Sequence, residues 1–231
     1  MRITNSTRFP RGGFALTIAI TLALSLASHA QPNPPPGYQP LFDGQSFAGW
    51  RVPEGNDINV WSIDPANGIL KREVKSSMLW TKDSFGNFVL ELEFKLSRKA
   101  NSGLFFRSDP SDHVQRGFEI QLMDTPPAEA LHNRNIGALY NAQAASQNTL
   151  KSLNKWNHLK LRAQGTSVKV WINDQLVNEI DLARWTEPET NPDGSKNKFK
   201  HALNSLPHHG QIGLQNHGNN VSFRNLFIKE L

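Results

Sequence analysis

The sequence predicts an all-β fold, a sandwich of two antiparallel sheets in the form of a jelly roll. The clearest strand is residues 88–96, FVLELEFKL, in which phenylalanine and leucine alternate with one valine and three charged residues. Short segments of this kind are separated by turn dipeptides, such as Asp43 with Gly44 and Asn67 with Gly68. The pattern indicates no helix longer than a few turns. A barrel is the alternative architecture.

Residues 1–30 have the features of a secretory signal peptide: arginines, an apolar run at residues 14–27, and small residues before a cleavage point after Ala30. The alternative is an uncleaved membrane anchor, but the run is shorter than the ~20 residues that span a bilayer. Residues 31–37, QPNPPPG, are then a stiff proline-rich linker. We therefore expect an exported protein whose residues 38–231 form one domain, without membrane contact after cleavage.

The composition excludes several kinds of function. The chain has no cysteine, which rules out disulfides, thiolate metal sites and cysteine nucleophiles. Its formal charge is +5, but three arginines lie within residues 1–30, which leaves 22 basic against 20 acidic residues in the remainder. No basic run is interleaved with aromatic residues, so we expect no nucleic-acid partner. The sequence contains no phosphate-binding glycine loop, no HExxH and no GxSxG.

Two strand-like segments combine an apolar face with a polar one, residues 118–124 (FEIQLMD) and residues 211–217 (QIGLQNH). Alternate side chains of a strand point in opposite directions, so the apolar positions of each segment should enter the core. These positions are Phe118, Ile120, Leu122, Ile212 and Leu214. The opposite faces carry Glu119, Gln121, Gln215 and His217. If the strands are neighbours, these faces form one polar floor; the alternative is an ordinary sheet surface that faces solvent.

A third segment, residues 101–107 (NSGLFFR), would add Asn101 and Arg107 to the same side if it is a strand. His217 is a candidate general acid or base because imidazole titrates near neutral pH. Glu119 is the other candidate, since partial enclosure on a strand face raises the pKa of a carboxyl group. The structural alternative is an ion pair between Glu119 and Arg107. The sequence leaves open which of the two candidates is the base.

Two further features have two readings each. Asp124 stands at a strand end shortly before Pro126, where it either binds a divalent cation or caps a turn. No other cofactor is indicated. Residues 183–209 are long, polar and rich in prolines, and they form either a lid that carries Trp185 or a plain surface excursion.

The chain also carries seven sequence blocks in a characteristic order. They read LFDG followed by a tryptophan, NSGLFFR, FEIQLMD, IGALY, WN, IGLQNHG and FRN. Together they resemble the family called 3-keto-disaccharide hydrolases, over about residues 38–231. The resemblance implies a concanavalin A-like jelly roll, a periplasmic or exported location, and action on 3-keto-glycosides as a hydrolase or as a 1,2-lyase with hydratase activity. One departure is Asn216, where the family commonly has aspartate, so any role of that carboxylate in binding metal or orienting His217 would be missing here.

The implied substrate has a ketone at C3, which acidifies the hydrogen at C2 and allows a base to remove it before the C1 substituent is expelled. Glu119 and His217 would then serve as base and acid. The residues expected to hold sugar hydroxyls or the developing oxyanion are Asn101, Arg107, Gln121 and Gln215, while Tyr140 would stack on the sugar or donate a proton. The expected partner is a small carbohydrate. The alternative function is a non-catalytic carbohydrate-binding or adhesion module on the same fold.

Overall fold

The computed structural model describes residues 1–2, 33–72, 77–217 and 220–231. Apart from its first two residues, the expected signal peptide lies outside the described residues, and so does its cleavage point. Within the described ranges, no helix is long and apolar enough to cross a membrane.

Thirteen strands and three short 3₁₀ helices follow one another in this part of the chain. The strands are β1 (Gln39–Pro40), β2 (Trp50–Arg51), β3 (Trp61–Asp64), β4 (Ile69–Arg72), β5 (Leu79–Phe85), β6 (Phe88–Leu96), β7 (Asn101–Ser108), β8 (Phe118–Met123), β9 (Trp156–Gln164), β10 (Ser167–Ile172), β11 (Gln175–Asp181), β12 (Gly210–Leu214) and β13 (Val221–Glu230). The helices are Ile58–Val60, Leu182–Arg184 and Leu203–Ser205.

The strands form two sheets. One has eight strands in the order β11-β10-β9-β6-β13-β4-β3, with β1 also paired to β13. The other has five strands in the order β2-β5-β12-β7-β8. All the pairings are antiparallel, and the apolar faces of the two sheets enclose one core. The all-β sandwich that the sequence predicts is therefore confirmed.

The core follows from the alternation of apolar residues along the strands. In β6, Phe88, Leu90, Leu92 and Phe94 are completely buried, whereas the charged residues between them are half-buried on the outer face. The predicted core residues on β8 and β12 are also completely buried: Phe118, Ile120, Leu122, Ile212 and Leu214. Each such side chain contributes roughly 1.5–3 kcal/mol of transfer free energy when it leaves water. This burial fixes which face of β8 and β12 points outward.

The long segment at residues 183–209 packs against the body of the protein. Trp185, Phe199 and Leu203 are almost completely buried, and the Trp185 indole donates a hydrogen bond to Asn191 Oδ1 at 2.9 Å. The carbonyl of residue 198 accepts a hydrogen bond from the Gln115 side chain. These anchors give the segment a defined path beside the five-stranded sheet.

A β-bulge interrupts β7 close to its end. Gln211 of β12 pairs with Ser108 while Gly213 pairs with Phe105, so β7 has one more residue than its partner over this stretch. Arg107 lies in the extra length and has a φ of 48°, in the left-handed region. A bulge of this kind re-aims the side chains that follow it.

The expectation that Arg107 lies beside Glu119 and contacts a sugar is wrong, because the bulge directs its side chain elsewhere. The guanidinium is 1% exposed, and it donates hydrogen bonds to the carbonyls of Gly86 at 2.8 Å and Gly165 at 2.7 Å, and to Asn87 Oδ1 at 3.1 Å. Gly165 closes the turn between β9 and β10 of the larger sheet. Arg107 therefore ties one end of the two sheets together, and its side chain makes no ion pair with Glu119.

Replacing Arg107 with methionine should lower the free energy of unfolding by about 3 kcal/mol, because the buried guanidinium and its three hydrogen bonds between the sheets are lost. Urea denaturation of the purified protein measures the change. The matched control is Arg162→Met on the exposed side of β9, which should unfold like the parent. An Arg107→Met protein that is as stable as the parent but no longer binds sugar would restore the sugar-contact role.

Candidate active site

The candidate site is the outer face of the five-stranded sheet, where β12, β7 and β8 run side by side. Gly213 pairs with Phe105, Phe105 with Glu119, and Gly103 with Gln121. Directly paired residues of adjacent strands share a face, so the predicted polar floor exists. Its residues are Trp80, Asn101, Gly103, Phe105, Glu119, Gln121 and Gly213, and the chain continues from β12 to Gln215 and His217 at its edge.

Glu119 lies across the backbone of β7 because position 103 is glycine. A Cβ atom there would overlap the Glu119 carboxylate. The side chain is 5% exposed, and its Oε1 accepts a hydrogen bond of 3.0 Å from Gln215 Nε2. The carboxylate is thus held against β7 by Gln215, which directly follows β12.

Burial raises the pKa of the Glu119 carboxyl group from 4.5 to about 7. The positive charge of Lys198 and the hydrogen bond from Gln215 act in the opposite direction, but the loss of solvation is the larger effect. A carboxyl group with this pKa exchanges protons readily near neutral pH, as a general acid or base must.

Lys198 reaches the site from the long segment at residues 183–209. There it meets Tyr140, which comes from the connection between β8 and β9. The ammonium lies 4.5 Å from the centre of the Tyr140 ring, and the Tyr140 amide donates to the Glu119 carbonyl at 2.9 Å. Burial lowers the Lys198 pKa, Glu119 raises it and Arg134 lowers it. Tyr140, one of the residues that the sequence analysis names, thus lies next to Glu119. Lys198 is not evident from the sequence, where it is one polar residue among many in a long loop.

Two amides connect the floor to His217. Gln121 Nε2 donates to Asn101 Oδ1 at 2.9 Å, and Asn101 Nδ2 lies 3.1 Å from His217 Nδ1. In this arrangement Nδ1 accepts the bond, so neutral His217 carries its proton on Nε2. If both side-chain amides were turned over, each donor and acceptor would be reversed. Asn101 Oδ1 would then accept a hydrogen bond from Nδ1–H, which the doubly protonated ring also carries. The imidazole itself is exposed at the rim of the site.

An aromatic group covers the other end of the floor. The Trp80 ring lies over Gly213, where a Cβ atom would collide with it. Its centre is 5.5 Å from that of Phe105, and the His113 ring is 5.2 Å from Phe105. Two buried polar atoms in this region, Trp80 Nε1 and Gln215 Oε1, have no hydrogen-bond partner among the described residues. Buried polar atoms usually have a partner, so these two are exceptions.

Asn216, the position that departs from the family pattern, faces away from the floor. It is 5% exposed, and its Oδ1 accepts a hydrogen bond of 3.2 Å from Arg72 at the end of β4. Burial lowers the pKa of Arg72. An aspartate here would therefore neutralise Arg72, whereas the residue that contacts the His217 ring is Asn101.

Asp124 caps a turn, which is one of the two roles that the sequence predicts for it. Its Oδ2 accepts the Lys99 amide at 2.8 Å, and its own amide donates to the Ala100 carbonyl. It also lines a cleft of about 640 Å³ with Arg98 and Lys151, and neither Glu119 nor His217 contributes to that cleft. Across the described ranges, no group of three or more acidic or histidine side chains is arranged to hold a metal. Binding of a divalent cation at Asp124 stays a prediction.

The family model of the 3-keto-alpha-glucoside-1,2-lyase-like domain matches residues 37–229. The chain belongs to this family. It is 29% identical to a 3-keto-disaccharide hydrolase of Bacteroides thetaiotaomicron, over 84% of this chain and 79% of the relative. The resemblance seen in the sequence blocks is therefore confirmed.

Solved structures show the same fold. A Parabacteroides distasonis protein that bears the provisional name glycosyl hydrolase is 32% identical, with a TM-score of 0.73 over 84% of this chain and 99% of that one. The β-glucanase of Bacillus licheniformis is 14% identical, with a TM-score of 0.53 over 84% and 97% of the two chains. At that identity the likeness shows the architecture alone, which is the predicted jelly-roll sandwich.

Replacing Glu119 with glutamine should make the protein relatively more stable as the pH rises. The folded protein holds the Glu119 proton more tightly than the unfolded chain does, because the pKa is raised from 4.5 to about 7. The stability from this group is therefore fully present below the unfolded pKa and is lost as the pH rises through the folded one. Between about pH 5 and pH 8, Glu119→Gln should gain on the order of 2–3 kcal/mol relative to the parent.

Urea denaturation at several pH values measures this difference. The exposed Glu187 provides the matched control, since Glu187→Gln removes the same charge from a solvated site and should follow the parent at every pH. A stability difference for Glu119→Gln that stays constant with pH would contradict the raised pKa.

Proposed function

We propose that the protein cleaves 3-keto-glycosides by removing the proton at C2, with Glu119 as the base. The observation that carries the proposal is the buried carboxyl group over Gly103, whose pKa of about 7 suits proton transfer at neutral pH. Membership of the 3-keto-alpha-glucoside-1,2-lyase-like family and the similarity to a 3-keto-disaccharide hydrolase support the substrate class.

The reaction starts when the Glu119 carboxylate takes the proton from C2. The electron pair of the C–H bond forms a C2–C3 double bond, and the carbonyl pair moves to the oxygen on C3, which gives an enediolate. When the carbonyl re-forms, the pair shifts to C1–C2 and the C1–O bond breaks. The aglycone leaves with that electron pair and takes up one proton, and addition of water across C1–C2 then gives the free 3-keto sugar. The sum of the two stages is hydrolysis.

The polar floor supplies the other groups that this reaction needs. In this proposal Gln121 and Asn101 hold sugar hydroxyls, and Gln215 orients the Glu119 carboxylate through its hydrogen bond. His217 stands exposed at the rim, where it delivers the proton to the leaving oxygen. Two carboxylates on opposite sides of the glycosidic bond, as in ordinary glycosidases, are not required.

We also propose that the protein is exported, to the periplasm or the medium, where it would meet such glycosides. This part of the proposal rests on the apolar run and the small residues near Ala30.

Turnover of a 3-keto-glucoside or 3-keto-trehalose by the purified protein tests the function. Glu119→Gln and His217→Ala should each lower the turnover number by about 10²-fold or more, the usual loss for a general acid or base. Glu119→Gln should still bind the sugar, because glutamine keeps the size and hydrogen-bonding capacity of the side chain. Glu187→Gln is the control for the charge change and should react like the parent.

Two results would contradict the proposal in different ways. If the parent binds keto-sugars but converts none, with or without added divalent metal, the protein is a carbohydrate-binding module. If the parent reacts and Glu119→Gln reacts equally fast, the base is another residue.

A further inference from the structure

Lys198 lies close to the proposed base but has no role in the reaction as described above. Its side chain is mostly shielded by the protein, yet within the described ranges no carboxylate oxygen lies within 4.0 Å of its ammonium, and no hydrogen-bond acceptor is in contact with it. Its near contacts are the faces of two rings, Tyr140 at 4.5 Å and Phe199 at 5.3 Å. Such contacts stabilise a cation but leave its N–H groups free to donate.

The backbone that carries Lys198 is firmly held. The next residue, Phe199, is 2% exposed. The Gln115 side chain bonds the protein backbone on both sides of it, donating to the Lys198 carbonyl at 3.0 Å and accepting from the Lys200 amide at 2.8 Å. The ammonium is therefore carried on a fixed stretch of backbone.

Lys198 and Glu119 are linked through Tyr140, whose ring lies 4.5 Å from the ammonium and whose amide donates to the Glu119 carbonyl at 2.9 Å. They are close enough for each to influence the ionisation of the other, but they do not form an ion pair. The other charged or titratable groups that act on Lys198, or are acted on by it, are His113 and Arg134. A base and a cation that are close but not paired can act on different atoms of one substrate.

We propose that Lys198 donates to the oxygen on C3 and stabilises the oxyanion that forms there when Glu119 removes the C2 proton. The inference rests on the proposed function and adds the electrophilic half of the site. The C2 proton moves to Glu119, the C–H electron pair forms the C2–C3 bond, and the negative charge that appears on the C3 oxygen meets the ammonium. An unoxidised sugar develops no such charge, so Lys198 also helps to select 3-keto substrates.

Lys198→Met removes the charge and keeps much of the side-chain length. With a 3-keto-glucoside it should lower kcat by about 10²–10³-fold, the usual loss for one oxyanion donor, while KM changes only a few-fold. Lys198→Arg keeps the charge and should recover part of kcat. Lys200→Met is the matched control, because Lys200 is exposed on the same segment and should leave both constants unchanged.

A carbon-13 NMR titration of the Glu119 carboxyl group, assigned by its loss in Glu119→Gln, reports on the site without turnover. Lys198→Met should titrate above the parent value of about 7, because the nearby positive charge favours the ionised carboxylate. Lys200→Met should titrate like the parent.

The outcomes separate this proposal from the function on which it rests. A parent that converts no keto-glycoside defeats the function itself. A parent that reacts while Lys198→Met retains full kcat defeats only the role of Lys198. If sodium borohydride, added with the keto-sugar, links the sugar covalently to Lys198, the lysine acts through an imine and the ammonium role is wrong.

Discussion

The burial of the Glu119 carboxyl group on the outer face of a sheet is the constraint on which the rest of the site depends. Isolating a carboxylate from water disfavours its charged form, and the protein offsets only part of that cost. Gly103 provides the space, Gln215 provides one hydrogen bond, and Lys198 provides a positive charge that stays out of contact. A tight ion pair would lower the pKa further and make the carboxylate a weaker base. The incomplete compensation keeps the pKa near neutrality.

The two faces of the five-stranded sheet therefore have different roles. The inner face packs a continuous apolar core, which fixes the direction in which every side chain of β8 and β12 points. The outer face collects groups that are far apart in the chain: Asn101 and His217 are 116 positions apart, and Gln215 and Glu119 are 96 apart. The buried guanidinium of Arg107 joins the ends of the two sheets and contributes to the site only by holding them in place.

Period-two alternation explains what the sequence could predict and what it could not. Within a regular strand the pattern assigns each residue to a face, and it does so correctly for Phe118 through Leu122 and for Ile212 and Leu214. The same rule fails for Arg107, because one extra residue in β7 shifts the alternation and nothing in NSGLFFR marks a bulge. Lys198 escapes detection for another reason, since its place is set by the packing of Phe199 and by hydrogen bonds to Gln115. Contacts of that kind have no local sequence pattern.

The central claim is that Glu119 removes a proton from C2, and running the reaction in heavy water tests it most directly. If the enediolate forms and water then adds across C1–C2, the released 3-keto sugar carries deuterium at C2. Substrate kept in the same solvent without enzyme corrects for spontaneous exchange. The account predicts one deuterium at C2 in the product that the parent releases. A product that keeps its original hydrogen at C2, formed without a kinetic isotope effect when that hydrogen is replaced by deuterium in the substrate, would show that the glycosidic bond breaks without proton removal at that carbon, and would contradict the role assigned to Glu119.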